Sequence, residues 1–392
     1  MGYRILTLNN ISVRGLERLP RERYEVASEI GHPHGVLVRS ADMHKWPVPA
    51  SLLAVARAGA GTNNVPVAAM SERGIPVFNA PGANANAVKE LVLAGMLMAA
   101  RNLIPASRFV EGLRGATGDL NKTVEDNKKH YAGIELPGRT LGVIGLGRIG
   151  SLVADAGIKL GMNVLGYDPD ITVDAAWSLP SQVKKANSIE EVLRASEFVS
   201  IHVPLLPATR HLVNTQRLSL MKAGAVLLNF AREEIVDSEA VIAALSEKRL
   251  RAYVCDFPSA TLIGHPQVVA LPHLGASTQE AEDNCAVMVV NQVSDYLEDG
   301  NVRNAVNFPD VVMPRESPYR LAIANANVPN MLGQISTALA SAGLNIHNML
   351  NKSKGEMAYT LVDVDSAPPG AVTNQLSGIQ GVLAVRYLPT VK

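Results

Sequence analysis

Two side chains at strand ends carry most of the chemical promise of this chain. The run LLNFAREEIVD places Arg232 just past an apolar strand, and VALPHLGAST does the same for His273. A guanidinium can pair bidentately with a carboxylate, and an imidazole can exchange a proton near neutral pH. Together they suit hydroxyl oxidation. In LGVIGLGRIGSLVADAG, Gly145, Gly147 and Gly150 form G-x-G-x-x-G directly after an apolar strand and at the head of a helical pattern. Backbone N–H groups at such a helix start favour a pyrophosphate, and side chains at the first two glycines would block its approach. A second strand ends at Asp168, 18 residues after Gly150, where a carboxylate accepts ribose hydroxyls and repels a 2′-phosphate. The expected cofactor is NAD rather than NADP.

Open α/β sheets put their ligands at strand ends, and this chain reads as strands alternating with helices. The apolar runs RILTLN, GVLVRS, LLAVARAG and IPVFNAP make a first parallel set, up to about residue 83. A long helix over 87–102 leads through a polar stretch into a second series. It runs TLGVIGLG, NVLGYDPD, FVSIHVPL, AVLLNFAR, RAYVCDFP and QVVALPHL, six strands that suit a doubly wound dinucleotide-binding sheet. After a further helix, NVRNAVNFPDVVMPRESP has the proline and charge content of a linker. Residues 318–392 then read as a small βαββαβ unit.

With 392 residues, 47% of them hydrophobic, and 36 basic against 36 acidic side chains, the chain is long enough for two or three domains. That charge balance points to no nucleic acid and no other polyanion. The start, MGYRILTLNNISV, lacks the order of a signal peptide, so the cytosol is expected. The run LVLAGMLMAA is about half the ~20 residues a bilayer crossing needs. Cys255 and Cys285 are too few and too far apart for a disulfide framework. His32 and His34 in GHPHG lack a third ligand, and no metal is expected.

The order GLGRIG, YDPD, HVPLLPATRHLVN, LLNFAR, VVALPHLGAST, preceded by VRSADMH, RAGAGTNNV and PGANANAVKELV, resembles the D-isomer-specific 2-hydroxyacid dehydrogenases over nearly the whole chain. Among them it is most similar to the members that oxidise D-3-phosphoglycerate to 3-phosphohydroxypyruvate, the first step of L-serine biosynthesis. LAIANANVPNMLGQISTALASAGLNIHNMLNKSKGEMAYTLVDVD resembles the ligand-sensing ACT domain that ends many of those members. The resemblance implies an α/β fold in which a Rossmann-like NAD-binding domain (84–275) is inserted in a flavodoxin-like substrate domain (1–83 and 276–312). A ferredoxin-like βαββαβ ACT domain (318–392) follows.

Carried onto matching positions, the resemblance makes His273 the general base and puts Arg232 on the substrate carboxylate. It assigns the N–H groups of Ala60 and Gly61 to that carboxylate, and Arg39 and Ser40 to the distal phosphate, with Asn84 lining the same site. It implies cofactor contacts for Arg148, Ile149, Asp168, Pro204 and Asp256. Lys128 or Lys129 is a further phosphate candidate, against a solvated basic loop. Asn325, Asn327 and Asn345 match serine-contacting positions, against an ACT domain used only for assembly, and a homodimer or homotetramer is expected. Two departures stand out. The family's glutamate, in a pattern like D-V-F-x-x-E-P, pairs with the histidine; here CDFPSATLIG puts Thr261 or Ala260 at that place. The usual glycine after the arginine is Glu233, followed by Glu234. Asp256, Glu280 and Glu233 are candidate partners for His273, in that order; otherwise the base works unpaired. Two other functions stay open: a dehydrogenase for another D-2-hydroxy acid, and a catalytically weakened NAD-dependent sensor.

Overall fold

The computed structural model describes residues 2–390. They divide into two compact units, Met1–Asn84 with Gln279–Lys392, and Ala85–Thr278.

In the first unit, β1 (Tyr3–Leu8), β2 (Tyr24–Ala27), β3 (Gly35–Val38), β4 (Ala54–Arg57) and β5 (Val77–Phe78) form a parallel sheet in the order β2-β1-β3-β4-β5. Every residue of β3 is buried, as expected of a parallel strand covered on both faces. The apolar-run reading missed β2, a short edge strand whose YEVA carries little apolar signal. The helix Gln279–Asp299 returns to this unit and lays Ala286, Val289, Val290, Val293 and Leu297 into one core with Ile5, Leu37, Ala54 and Phe78.

The C-terminal segment forms an antiparallel sheet of β13 (Tyr319–Ala326), β14 (Ile346–Lys354), β15 (Met357–Val364) and β16 (Val382–Pro389), once the second unit's strands β6–β12 are counted. Its order is β14-β15-β13-β16, with helices Met331–Ser341 and Gly370–Ser377. Alternation along β13 and β15 sends side chains to opposite faces. Leu321, Ile323, Val362 and Val364 pack with the two helices. Ala322, Ala324, Tyr359 and Leu361 join the core of the first sheet.

Polar bonds reinforce that junction. The last carbonyls of a helix have no intrahelical partner. Here Arg386 donates to the carbonyls of Tyr296 (3.0 Å) and Leu297 (2.7 Å), Arg315 to that of Glu298 (3.0 Å), and Arg320 to that of Asp299 (3.1 Å). Guanidinium charge also complements the negative end of the helix dipole. Arg320 is fully buried and forms a bidentate pair with fully buried Asp363, at 2.7 and 2.8 Å.

The second unit is a seven-stranded parallel sheet of β6 (Thr140–Ile144), β7 (Asn163–Tyr167), β8 (Lys184–Lys185), β9 (Phe198–Ile201), β10 (Ala225–Asn229), β11 (Leu250–Cys255) and β12 (Val268–Ala270). The order β12-β11-β10-β9-β6-β7-β8 is that of a doubly wound sheet with its reversal at β6/β9. The expected six strands are joined by a seventh, β8, whose two exposed lysines have no apolar pattern to betray them. Helices Ala85–Ala100 and Arg148–Lys159 bury Val92, Met96, Val153 and Ala154 with Leu141, Val143 and Val226 of the sheet. No helix is long and apolar enough to cross a membrane among the described residues.

Candidate active site

The glycine-rich turn sits at the reversal. Gly145 has φ +91, which side-chain-bearing residues rarely adopt, and a Cβ at Gly150 would collide with the Gly145 carbonyl oxygen. Nothing lies within 4 Å of where a Cβ on Gly147 would be, so the N-terminus of helix Arg148–Lys159 is open to an approaching anion. Gly147 caps that helix with no side-chain hydrogen bond. Asp168, the first residue past β7, accepts from the N–H of Leu146 at 2.8 Å and of Asp170 at 3.0 Å. The acid thus braces the turn and stands beside it. Arg148 is exposed and Ile149 half-buried at the helix start. Pro204 is exposed past β9, its carbonyl accepting from the Thr209 hydroxyl at 2.6 Å. These features fit a dinucleotide: open amides for the pyrophosphate, and a carboxylate at the next strand tip for the ribose. His202, at the tip of β9, is pushed down to about 4 by burial and shares a 2.8 Å hydrogen bond with Ser200. It stays neutral at physiological pH.

Arg232 is held by Asn229, a fully buried amide at the end of β10. Its Nδ2 donates to the Arg232 carbonyl at 2.8 Å, and its Oδ1 accepts from Ala231 N–H at 3.1 Å. His273 follows β12 with φ +56. Its N–H donates to the Asp256 carbonyl at 3.0 Å, and its exposed ring packs 4.5 Å from that of Phe257, centroid to centroid. The Arg232 guanidinium lies 5.4 Å from the same phenyl centroid. The two candidate catalytic side chains therefore meet on one aromatic ring.

Asp256 ties down the turn that carries His273. It is 1% exposed, and its two carboxylate oxygens accept from the N–H groups of Leu274 (2.7 Å) and Gly275 (2.8 Å). Both oxygens bond backbone N–H groups of the turn that carries His273, and among the described residues no hydrogen bond joins the carboxylate to the imidazole. Glu233 opens a short 3-10 helix (Glu233–Ile235) with its side chain exposed, and Glu234 stands 3.8 Å from Arg210. Glu280 belongs to the first unit. Thr261, which with Ala260 is one of the two residues at the family's glutamate position, donates to Glu239 at 3.0 Å. Among the described residues no carboxylate bonds the His273 ring. Asp256→Ala would leave two shielded N–H groups unpaired, a cost of about 1–3 kcal/mol each. Its expected signature is a lowered melting temperature together with a kcat loss larger than the change in cofactor affinity, measured by thermal unfolding and steady-state kinetics.

In the first unit, Arg39 follows β3 and donates to Glu282 at 2.6 Å. Ser40 is exposed beside it, its N–H 3.3 Å from Asn9 Oδ1. The turn after β4 holds Ala60 and Gly61. The Ala60 carbonyl accepts from Asn79 Nδ2 at 2.6 Å, while neither N–H has a hydrogen-bond acceptor among the described residues. Asn84 is half-buried at the end of the unit's first segment. Sequence reasoning passed over Arg57. This last residue of β4 donates to the Arg39 carbonyl at 3.1 Å, and its guanidinium lies where a Cβ on Gly59 would be. A basic residue closing a strand directly before a glycine-rich turn was the available signal. Lys128 pairs with Glu125 on an exposed stretch, as a solvated basic loop would. His34 accepts from the Arg4 N–H at 2.9 Å and stacks edge-on with Tyr3, a packing role.

The three asparagines of the C-terminal sheet do not converge within one chain. Asn325 is 1% exposed near the end of β13, donating to the Ala326 carbonyl, with its Oδ1 unpartnered. Asn327 donates to the Gly355 carbonyl at 3.0 Å. Asn345 precedes β14, whose Ile346 pairs with Val364 opposite Tyr319, at the other end of the sheet.

The model of the D-isomer specific 2-hydroxyacid dehydrogenase NAD binding domain matches residues 93–275. A D-3-phosphoglycerate dehydrogenase of Haemophilus influenzae is 34% identical over 349 residues, 86% of this chain and 81% of that one. One from Methanocaldococcus jannaschii is 36% identical over 324 residues, 80% of this chain and 57% of that one. Among solved structures, NAD+-bound 3-phosphoglycerate dehydrogenase of Entamoeba histolytica superposes with a TM-score of 0.60 at 24% identity, over 78% of this chain and 99% of that one.

Proposed function

This chain belongs to the D-isomer-specific 2-hydroxyacid dehydrogenases, and from that premise we propose that it oxidises D-3-phosphoglycerate to 3-phosphohydroxypyruvate with NAD. The observation that carries the reading is the meeting of Arg232 and His273 on Phe257, in a unit whose glycine-rich turn and Asp168 suit NAD. Bound NAD would supply the acceptor for the hydride that leaves the carbinol carbon.

The protein's own groups do the rest. Gly145, Gly147 and Gly150 admit the pyrophosphate to the helix start, where Arg148 and Ile149 flank it, and Asp168 takes the ribose. Pro204 is a further cofactor-contacting position by resemblance. Arg232 pairs with the substrate carboxylate and polarises the reacting oxygen, and the unbonded N–H groups of Ala60 and Gly61 suit the same carboxylate. His273 takes the hydroxyl proton on its imidazole. Phe257 replaces the missing glutamate as the group that fixes the ring, by contact rather than charge. Arg39, Ser40 and Arg57 suit the dianionic phosphate, and the resemblance adds Asn84 to that site.

A spectrophotometric assay of NADH formation with D-3-phosphoglycerate, beside D-lactate and D-glycerate, tests this reading. Preference for D-lactate would replace it with a different hydroxyacid, and no turnover of any would leave a sensor. Arg39 gives a sharper test. Its pair with Glu282 is about a third exposed on each side, so the bond contributes little and a phosphate can displace it. Glu282→Gln is expected to lower KM for D-3-phosphoglycerate about threefold without changing kcat, because about 0.6 kcal/mol of competition disappears. An unchanged KM would remove Arg39 from phosphate binding.

Assembly and regulation follow the same reading. Leu103, Val110 and Leu120 are exposed on helices Leu103–Gly112 and Leu120–Asn127, neither of which buries a residue. Such faces suit a homodimer or homotetramer. Twofold pairing of C-terminal sheets would bring Asn345 of one copy towards Asn325 and Asn327 of another, and L-serine is the effector that resemblance suggests. Serine titration of activity tests it. Cys255 and Cys285 are buried and unpaired, which suits the cytosol.

A further inference from the structure

The helix Gln279–Asp299 carries a polar stripe that the reaction does not use. Asn284, Met288, Asn291, Gln292 and Asp295 recur at three- and four-residue steps, so they share a face. They form one wall of a cleft of about 620 Å³, faced by residues 82–83 and 303–304 of the same unit. Gln292 is the anomaly in it. The residue is 5% exposed, and neither its amide nitrogen nor its amide oxygen has a partner among the described residues. Buried amides are nearly always bonded, so an orphan at the base of a cleft asks for a ligand. Beside it stands Asp295, whose carboxyl is raised by burial, against a 2.7 Å hydrogen bond from Asn301 and the nearby charge of Arg303.

We propose that this cleft binds a free α-amino acid with a hydroxyl or carboxamide side chain. Arg303 takes the carboxylate, Asp295 the ammonium, and the Gln292 amide exchanges hydrogen bonds with the side chain. A phosphate would set its charge against the Asp295 carboxylate, and an apolar ligand would leave the Gln292 amide without a partner. Met288, one turn before Gln292, lines the same cleft with a flexible thioether. The site shares no residue with the reacting groups.

Binding is read on the full chain without turnover, by thermal unfolding and calorimetric titration with millimolar L-serine, L-glutamine and, as a control, L-valine. Serine or glutamine is expected to raise the melting temperature saturably, and valine to leave it unchanged. Gln292→Leu should raise the ligand-free melting temperature, by removing a buried orphan, yet weaken the amino acid at least about tenfold. Arg303→Gln, at an exposed position, should weaken it by a similar ~10-fold factor with no change in the ligand-free protein. Failure of both amino acids to bind overturns the proposal. So does binding that survives both substitutions, and binding lost instead in Asn325→Ala, which would place the ligand on the C-terminal sheet.

Discussion

Replacing His273 with asparagine is expected to lower kcat for D-3-phosphoglycerate by about 10²–10⁴-fold, the usual contribution of a general base. Asparagine is the right probe because position 273 sits at φ +56, a region that asparagine tolerates better than alanine. The turn itself is held by Asp256 through backbone groups, so it should survive the exchange, and KM for NAD should stay unchanged. Steady-state rates decide the matter: a variant retaining activity within about threefold, a difference of only ~0.6 kcal/mol, would move the base elsewhere.

Arg320→Met should cost the first unit about 3–5 kcal/mol, the loss typical when one member of a buried ion pair is removed. Asp363 would keep a fully buried charge without its bidentate partner. The carbonyls of Asp299, Met313 and Pro314 would lose their donor as well. Arg320→Lys should recover only part of the loss, because an ammonium cannot span both carboxylate oxygens. Acid acts in the same direction. Burial raises the Asp363 carboxyl, but the Arg320 hydrogen bonds and the Glu316 N–H outweigh it and hold the carboxyl below the usual range. A carboxyl depressed in the folded state stabilises above its unfolded value of about 4, and that stability is lost as pH falls through the lower, folded value. Urea unfolding followed by Trp46 fluorescence in a Trp177→Phe background reads the first unit alone, since the two tryptophans lie in different units. An unchanged midpoint for Arg320→Met would mean that Asp363 finds water or another donor.

What the sequence could disclose depended on how local each cause was. Gly145, Gly147, Gly150 and Asp168 were legible because a tight turn, an open helix start and an acid at the next strand tip are short-range demands on residue type. The buried strands announced themselves through apolar runs. β8 could not, since two lysines pairing with Leu165 and Gly166 leave no periodicity. Asp256 was legible as a strand-end carboxylate but not as the anchor of the His273 turn, since its bonds to Leu274 and Gly275 reach 18 and 19 positions ahead. The pairing of Arg39 with Glu282 spans 243 positions, and no pattern encodes such a partner. Along β13, the alternation of Leu321 and Ile323 with Ala322 and Ala324 is readable, but not that the alanine face is buried against another sheet.

The helix Gln279–Asp299 is gripped at both ends. At its tail, guanidiniums of Arg315, Arg320 and Arg386 clasp its carbonyls. Near its head, Glu282 holds Arg39, and Asp283 accepts from the Ser12 hydroxyl at 2.5 Å. A rod of 21 residues spans about 30 Å, and it is stiff along its axis. A shift of the C-terminal strands would therefore act on the helix that carries Glu282, the partner of Arg39. Trimming the final strand would take the Arg386 guanidinium from the carbonyls of Tyr296 and Leu297 and leave the tail of that helix without those donors.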